Sequence, residues 1–248
     1  MRTGAFSVAG LAVLAVATVV AQVDPVKLVA GLPRMAGWAA KAWPPSTVDL
    51  ATLFERAAET VAMALVGTTI AVVLSLTLAF AASRNLTPNP LVYYPARWIL
   101  NAFRSIDSFV FALLFVAAVG LGPFAGVLGL ALNTWGSLAK AWSEAIETAA
   151  PGPLEAARLA GASRLKTISY VLIPDVLPAM ISTALYFFEF NVRASTVLGV
   201  VGAGGIGQQL KNSMDLLDFP RLFTVLLVIL VMVTTIDQIS ASLRRRLV

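Results

Sequence analysis

Charge vanishes from this chain over stretches that a water-soluble fold does not sustain. Residues 5–23, 60–82 and 108–139 contain no Asp, Glu, Lys or Arg. A bilayer core about 30 Å thick takes about 20 apolar residues per helix. The third run is too long for one ordinary span. Its interior Gly120-Leu121-Gly122-Pro123 is a turn signal, with Pro placed to start a new helix. The expected reading is a helical hairpin, 98–119 going out and 124–142 returning. Residues 171–188 are interrupted by Asp175 alone, and an apolar run from 222 continues past Asp237 to about 243.

That pattern predicts an all-α, polytopic membrane protein: about six transmembrane helices in one domain over residues 1–248, with both termini on one side of the membrane. Eleven of the 18 Lys and Arg then fall on the side of the termini and seven on the other. The positive-inside rule makes the richer side the cytoplasm. A competing reading of the first run is a secretory signal cut after Ala21. The apolar core exceeds the 7–15 residues usual for such signals, and an even span count keeps both ends inside, so a retained span is favoured.

Composition narrows the function. The 248 residues are 58% hydrophobic and 12% charged, against roughly 25% charge in soluble domains. The net charge of +5 is scattered and ends in Arg244-Arg245-Arg246 after the last apolar run, which suits cytoplasmic anchoring rather than nucleic acid. With no Cys and no His, disulfides, zinc sites and Cys or His catalysis are excluded by inventory.

One polar insert stands between the apolar runs: Glu155-Ala156-Ala157-Arg158-Leu159-Ala160-Gly161, followed by Val171-Leu172-Ile173-Pro174. Pro151-Gly152-Pro153 ends the preceding element and presets a helix start. Residues 154–160 are mostly good helix formers. Gly161 is placed to close that helix in a left-handed conformation, and Ser163 to cap a second helix running toward Pro174. The order Glu-Ala-Ala, three residues, Gly, nine residues, aliphatic pair and Pro resembles the signature loop of ABC-importer permeases. Val171 and Ile173 stand where that pattern commonly has Ile and Leu. The resemblance implies that residues 151–168 form the coupling loop. Glu155, Ala156, Ala157 and Gly161 would contact a separate ATPase, with Arg164 at the rim.

A second motif invites a different conclusion. Gly202-Ala203-Gly204-Gly205-Ile206-Gly207 matches G-x-G-x-x-G behind a strand-like Val197-Leu198-Gly199-Val200-Val201. A dinucleotide site requires a βαβ unit and an acidic residue about 20 positions on. Asp215 and Asp218 come too early, and no strand–helix alternation surrounds the motif. The glycines instead suit either a flexible external loop or close backbone packing at a helix break that is buried in protein or lines a cavity. The stretch from Phe188 to Gly207, with Arg104-Ser105-Ile106 and Val119 to Val127, resembles the phosphonate-importer branch of these permeases. The likeness runs from about Ile99 to the terminal Arg cluster. Residues 1–98 carry only the span pattern, apart from Glu59-Thr60.

Arg104, Asp107, Glu189 and Arg193 lie at or beside span ends, where ionisable groups face the bundle or a pathway. Two readings stay open for them. Arg104 with Asp107 and Glu189 with Arg193 have the spacing of structural ion pairs; alternatively, Arg104 and Arg193 meet an anionic solute directly. Asp237 is expected to hydrogen-bond within the bundle, to Thr234 or Gln238. A short helix over 31–43, bearing Trp38 and ending at Trp43, is expected to lie on the membrane outside. The translocation path is assigned to Arg104, Asn191, Arg193, Gly202, Gly204 and Gly205.

The resemblance implies a type I ABC-importer permease fold, two copies of this chain forming one pathway, two ATPase subunits inside and a substrate-binding protein outside. This chain would bind no cofactor; ATP-Mg would sit on the ATPase. The cargo implied is phosphonate, phosphite, phosphate or another small solute, and the location the bacterial plasma membrane. An ion-coupled secondary transporter would call for paired acids at mid-membrane and inverted repeats, neither evident here. A membrane sensor would need a soluble output domain, and an enzyme a nucleophile and base.

Overall fold

The computed structural model describes residues 2–246, and every regular element among them is helical. The chain divides into two compact units, Met1–Pro44 and Pro45–Val248. The first holds α1 (Arg2–Val20) and α2 (Pro25–Lys41). Asp24 starts α2: its carboxylate accepts from the Val26 and Lys27 amides at 3.0 and 3.1 Å, with Pro25 supplying the preset φ of a first helical residue. The outer helix expected over 31–43 is therefore longer at its start, and Trp43 lies beyond its end.

The second unit is built on α3 (Leu50–Ala81), α6 (Pro123–Glu147) and α9 (Ile173–Val200). Around them run α4 (Pro90–Ser105), α5 (Ser108–Val119), α7 (Pro151–Leu159), α8 (Arg164–Thr167), α10 (Gly205–Asp215) and α11 (Phe219–Arg244). Among the described residues, three helices are long and apolar enough to cross a membrane: Leu50–Ala81, the run Arg164–Val200, and Phe219–Arg244. The bent pairs α1–α2 and α4–α5 raise this to five. The expected count of six is thus not reached on length and apolarity, because α6 carries Asn133, Thr134, Lys140, Ser143 and Glu144.

The span expected over 98–119 is not one helix. It bends by 86° between α4 and α5. Ile106 is extended, and Asp107 restarts the helix by accepting the Phe109 amide at 2.8 Å. Broken backbone at this depth must be satisfied by protein. Asn133 Nδ2 of α6 does this, donating to the Ile106 carbonyl at 2.7 Å.

Small residues let the helices approach. A Cβ on Gly136 would stand 2.6 Å from the Arg104 backbone nitrogen, and one on Gly129 would stand 2.8 Å from that of Ala112. The surface of α6 therefore seats both halves of the broken helix, as small residues do in membrane bundles. Asn191 is 0% exposed and joins the three central helices. Its oxygen accepts from Thr134 Oγ1 at 3.0 Å and its nitrogen donates to Thr68 Oγ1 at 2.8 Å. Nearer the other end, Leu138, Trp142, Leu172 and Met180 pack together, and Trp142 Nε1 donates to the Met180 carbonyl at 3.1 Å.

The α3–α4 loop is stitched to the end of α6 by Glu147. Its carboxylate receives Arg97 Nη2 at 2.5 Å and the Arg84 amide at 2.7 Å. Arg97 Nε donates to the Ala82 carbonyl and Asn85 Nδ2 to that of Ile146. Burial alone would raise the Glu147 carboxyl; the Arg97 hydrogen bond, the Arg84 amide and the nearby cations outweigh it and hold the group below its ordinary value.

Candidate functional site

The polar insert folds into a short helix that the rest of the chain barely covers. α7 begins at Pro151, three residues ahead of the expected start, because Pro is suited to the first helical position. It has no buried residue. Glu155, Ala156 and Arg158 are exposed, Ala157 is half-buried, and Leu159 is 89% exposed. Leu154 turns inward, against the Trp142 cluster.

The end of α7 has the double hydrogen bond of a Schellman turn. The Ala162 amide donates to the Ala157 carbonyl and the Gly161 amide to that of Arg158, both at 3.0 Å. Gly161 takes φ +79°, as expected, and a Cβ there would meet nothing within 4 Å. Ser163 departs from expectation: its hydroxyl makes no capping bond. Its carbonyl instead accepts the Thr167 amide at 2.9 Å and the Thr167 hydroxyl at 3.2 Å. A π turn (Ile168–Leu172) then leads into α9. Pro174 has no amide to give the α-helical partner four residues back, and the ladder shifts register just before it, with Ile173 N donating to Ile168 O. The segment from Arg164 to Val200 is thereby a continuous rod. Arg164 reaches back and donates to the Leu86 carbonyl.

The residues assigned to the path fall in separate places. Arg104 ends α4 at the helix break and makes no ion pair with Asp107, which is occupied as a cap. Asn191 faces inward and is spent on Thr68 and Thr134. Arg193, on another side of α9, faces α11 with its side chain 52% exposed. It meets Asp237 at 3.1 Å and Glu189 more distantly at 3.9 Å, while Glu189 contacts Arg244 at 2.6 Å. The expected Glu189–Arg193 pair is therefore part of a four-residue network. Asp237 bonds across helices, not to Thr234, whose hydroxyl serves Leu230 and Val231 carbonyls.

The glycine motif is a helix-to-helix turn, with Val197–Val200 inside α9 and not in a strand. Gly202, Gly204 and Gly205 have φ of +93°, +80° and +70°. Gly202 O accepts the Gly122 amide at 2.9 Å, tying this turn to the α5–α6 hairpin. Sequence reasoning missed the pair that receives α10. Glu59 Oε1 accepts the Gly205 amide at 3.2 Å, and Thr60 Oγ1 accepts that of Ile206 at 2.8 Å. Arg56 holds Glu59 from the other side at 2.5 Å. The available signal was an acid at the very edge of the uncharged run. Among the described residues no cluster of His, Cys, Asp and Glu is suited to a metal.

The profile of the family described as "binding-protein-dependent transport system inner membrane component" matches residues 71–248. The chain is 51% identical to the putative phosphite transport system permease protein HtxC of Stutzerimonas stutzeri, over 98% of this chain and 86% of that protein. It is 44% identical to the phosphite transport system permease protein PtxC of the same organism, over 90% of this chain and 81% of that one. Its fold is similar to a chain of the inward-facing MetNI methionine ABC transporter, with a TM-score of 0.71 at 24% identity, covering 82% of this chain and 99% of that one.

Proposed function

We propose, because the chain belongs to the binding-protein-dependent transport system inner membrane components, that two copies of it line the path of a phosphorus oxyanion: phosphite, phosphonate or phosphate. The chain is the multi-pass permease subunit of an ABC importer and not an enzyme. In this reading both termini are cytoplasmic, a binding protein delivers solute outside, and ATP-Mg is held by ATPase subunits inside. Another small solute is the alternative cargo.

The observation that carries the reading is the exposure of α7. A helix with no buried residue, closed by a rigid Gly161 turn and continuous with a long rod into the bundle, has the geometry of a part made to be pushed. Glu155, Ala156 and Ala157 would seat in a groove of the ATPase, with Gly161 setting the angle and Arg164 anchoring the segment to the α3–α4 loop. ATP binding outside this chain then biases the equilibrium between two packings of the bundle. Arg104 at the helix break and Arg193 on α9 are the basic groups that an oxyanion would meet. Gly202, Gly204 and Gly205 shape the outer mouth. Asn191 contributes only in a conformation that separates α3 and α6.

The test is ATP hydrolysis by the reconstituted complex with its cognate binding protein across phosphite, methylphosphonate, phosphate, sulfate and methionine. Stimulation by one or more phosphorus oxyanions and not by sulfate or methionine is expected. Stimulation by methionine alone would refute the cargo assignment. Intact-complex mass would separate two identical copies from a pair of different permeases.

A further inference from the structure

Beside α7 lies a cavity of about 410 Å³ between the coupling segment and the α3–α4 loop. Its floor is apolar: Leu154, Ile168 and the buried Leu172. Its rim is polar and basic, formed by Asn85, Arg158 and Arg164. Arg164 spends one arm on the Leu86 carbonyl, which fixes the two walls relative to each other. A guanidinium has five donors, so most of its capacity remains.

The charge balance at this end is uneven. Arg97 and Lys140 are neutralised by Glu147 and Glu144. Arg84, Arg158, Arg164 and Lys166 form no ion pair among the described residues. An occupant of the cavity therefore needs an apolar body and negative charge beside it.

We propose that the ATPase grips the permease at two elements rather than one. The coupling helix and the α3–α4 loop together form a socket for one large apolar side chain of the ATPase, with an adjacent carboxylate taken by Arg158 and Arg164. The inference rests on the coupling role of α7. The socket is continuous with the exposed side of that helix, where Leu159 and, beyond the turn, Leu165 stand 89% and 77% exposed. Its basic rim complements an acidic partner. The charged Glu155 and Arg158 and the bare turn at Gly161 exclude hydrocarbon as the covering medium. Through this second grip a push on α7 also reaches the α3–α4 loop. From there it passes through Glu147 and Arg97 to α4, at whose far end Arg104 sits.

The chain has no cysteine, so single replacements can be labelled cleanly. Pro88→Cys, on the cavity wall, and Ala156→Cys, on α7, would each carry a photo-crosslinker. The intact permease–ATPase–binding-protein complex would be held in phosphatidylethanolamine–phosphatidylglycerol nanodiscs. Both sites are expected to yield ATPase adducts. An ATPase adduct from Ala156 with none from Pro88 overturns the socket and leaves the coupling role standing. Adducts from neither overturn both. A Pro88 adduct with lipid overturns the socket in favour of an anionic headgroup. As a functional arm, Arg158→Glu and Ile168→Trp are each expected to lower binding-protein-stimulated hydrolysis at least tenfold in permease of unchanged melting temperature, with Arg158→Lys largely retaining it. Unchanged hydrolysis in both also overturns the proposal.

Discussion

Gly161 offers a sharp test of the proposed coupling role of α7 and its turn, because space and backbone can be separated there. A Cβ at this position meets no atom within 4 Å, so an added methyl clashes with nothing in the chain. What it disturbs is the φ of +79°. A left-handed residue with a Cβ costs roughly 1–2 kcal/mol, and that energy corresponds to a factor of about 5–30 in the ratio of this geometry to its alternatives. Only the fraction of loops in the Schellman geometry presents α7 correctly, so apparent affinity for the ATPase falls by that fraction. Gly161→Ala is expected to raise the ATPase concentration needed for half-maximal stimulated hydrolysis by up to about 5–30-fold. Gly161→Val should do worse, since a β-branched residue tolerates positive φ least. Gly161→Asn should lie close to the parent, because Asn visits this region readily. The melting temperature of the permease alone should move little, as no residue of α7 is fully buried. Titrating ATPase into permease nanodiscs with binding protein and substrate present measures the series. Equal values for Ala, Val and the parent would refute the reasoning; equal losses for Asn and Ala would show that something other than backbone conformation is responsible.

Four further outcomes are expected. Asn191→Val removes two interhelical hydrogen bonds worth about 0.6 kcal/mol each in membranes, so unfolding in mixed micelles should shift by about 1 kcal/mol. Gly136→Ala drives a methyl to 2.6 Å from the Arg104 backbone nitrogen, and overpacking of this kind costs about 1–3 kcal/mol, measured in the same way. Glu147→Gln weakens a charge-assisted bond to Arg97, at about 1.5–3 kcal/mol. Because the Glu147 carboxyl is held below its ordinary 4.5, its contribution is present above that value and is lost as pH falls below it. The parent should thus lose stability below about pH 4.5 while the Gln variant shows a shallower slope, as read by melting against pH. Arg193→Ala should reduce oxyanion uptake while the complex still assembles; unchanged uptake would retire Arg193 from the path.

Much of the shape of the segment from Pro151 to Pro174 was legible because its signals are local. Pro151, Gly161 and Pro174 act through their own backbones, and each marks a start, a turn or a register shift close to where it stands. The hairpin turn at Gly120–Pro123 was readable for the same reason. The break between α4 and α5 was not. Asp107 reads by its spacing as an ion-pair partner of Arg104, whereas it caps α5 at a break that Asn133, arriving from α6, satisfies at Ile106. The Glu59–Thr60 cap on α10 was equally hidden, since the residues it joins are 146 apart in sequence. Asp237 looked like a local hydrogen-bonding residue, until α9 brought Arg193 to it.

The sequence by itself determined that this chain is a helical membrane protein with a water-facing insert, because hydrocarbon demands long uncharged runs and rejects a segment such as 151–168. It also determined the chemistry the chain lacks, having neither Cys nor His. Only the tertiary structure decided which polar groups are structural and which remain free. Asn191 is consumed by two threonines and Glu147 by Arg97 and the Arg84 amide, whereas Arg158 finds no acid among the described residues. A residue's spare hydrogen-bonding and charge capacity is what its neighbours leave over, and those neighbours come from helices far apart along the chain.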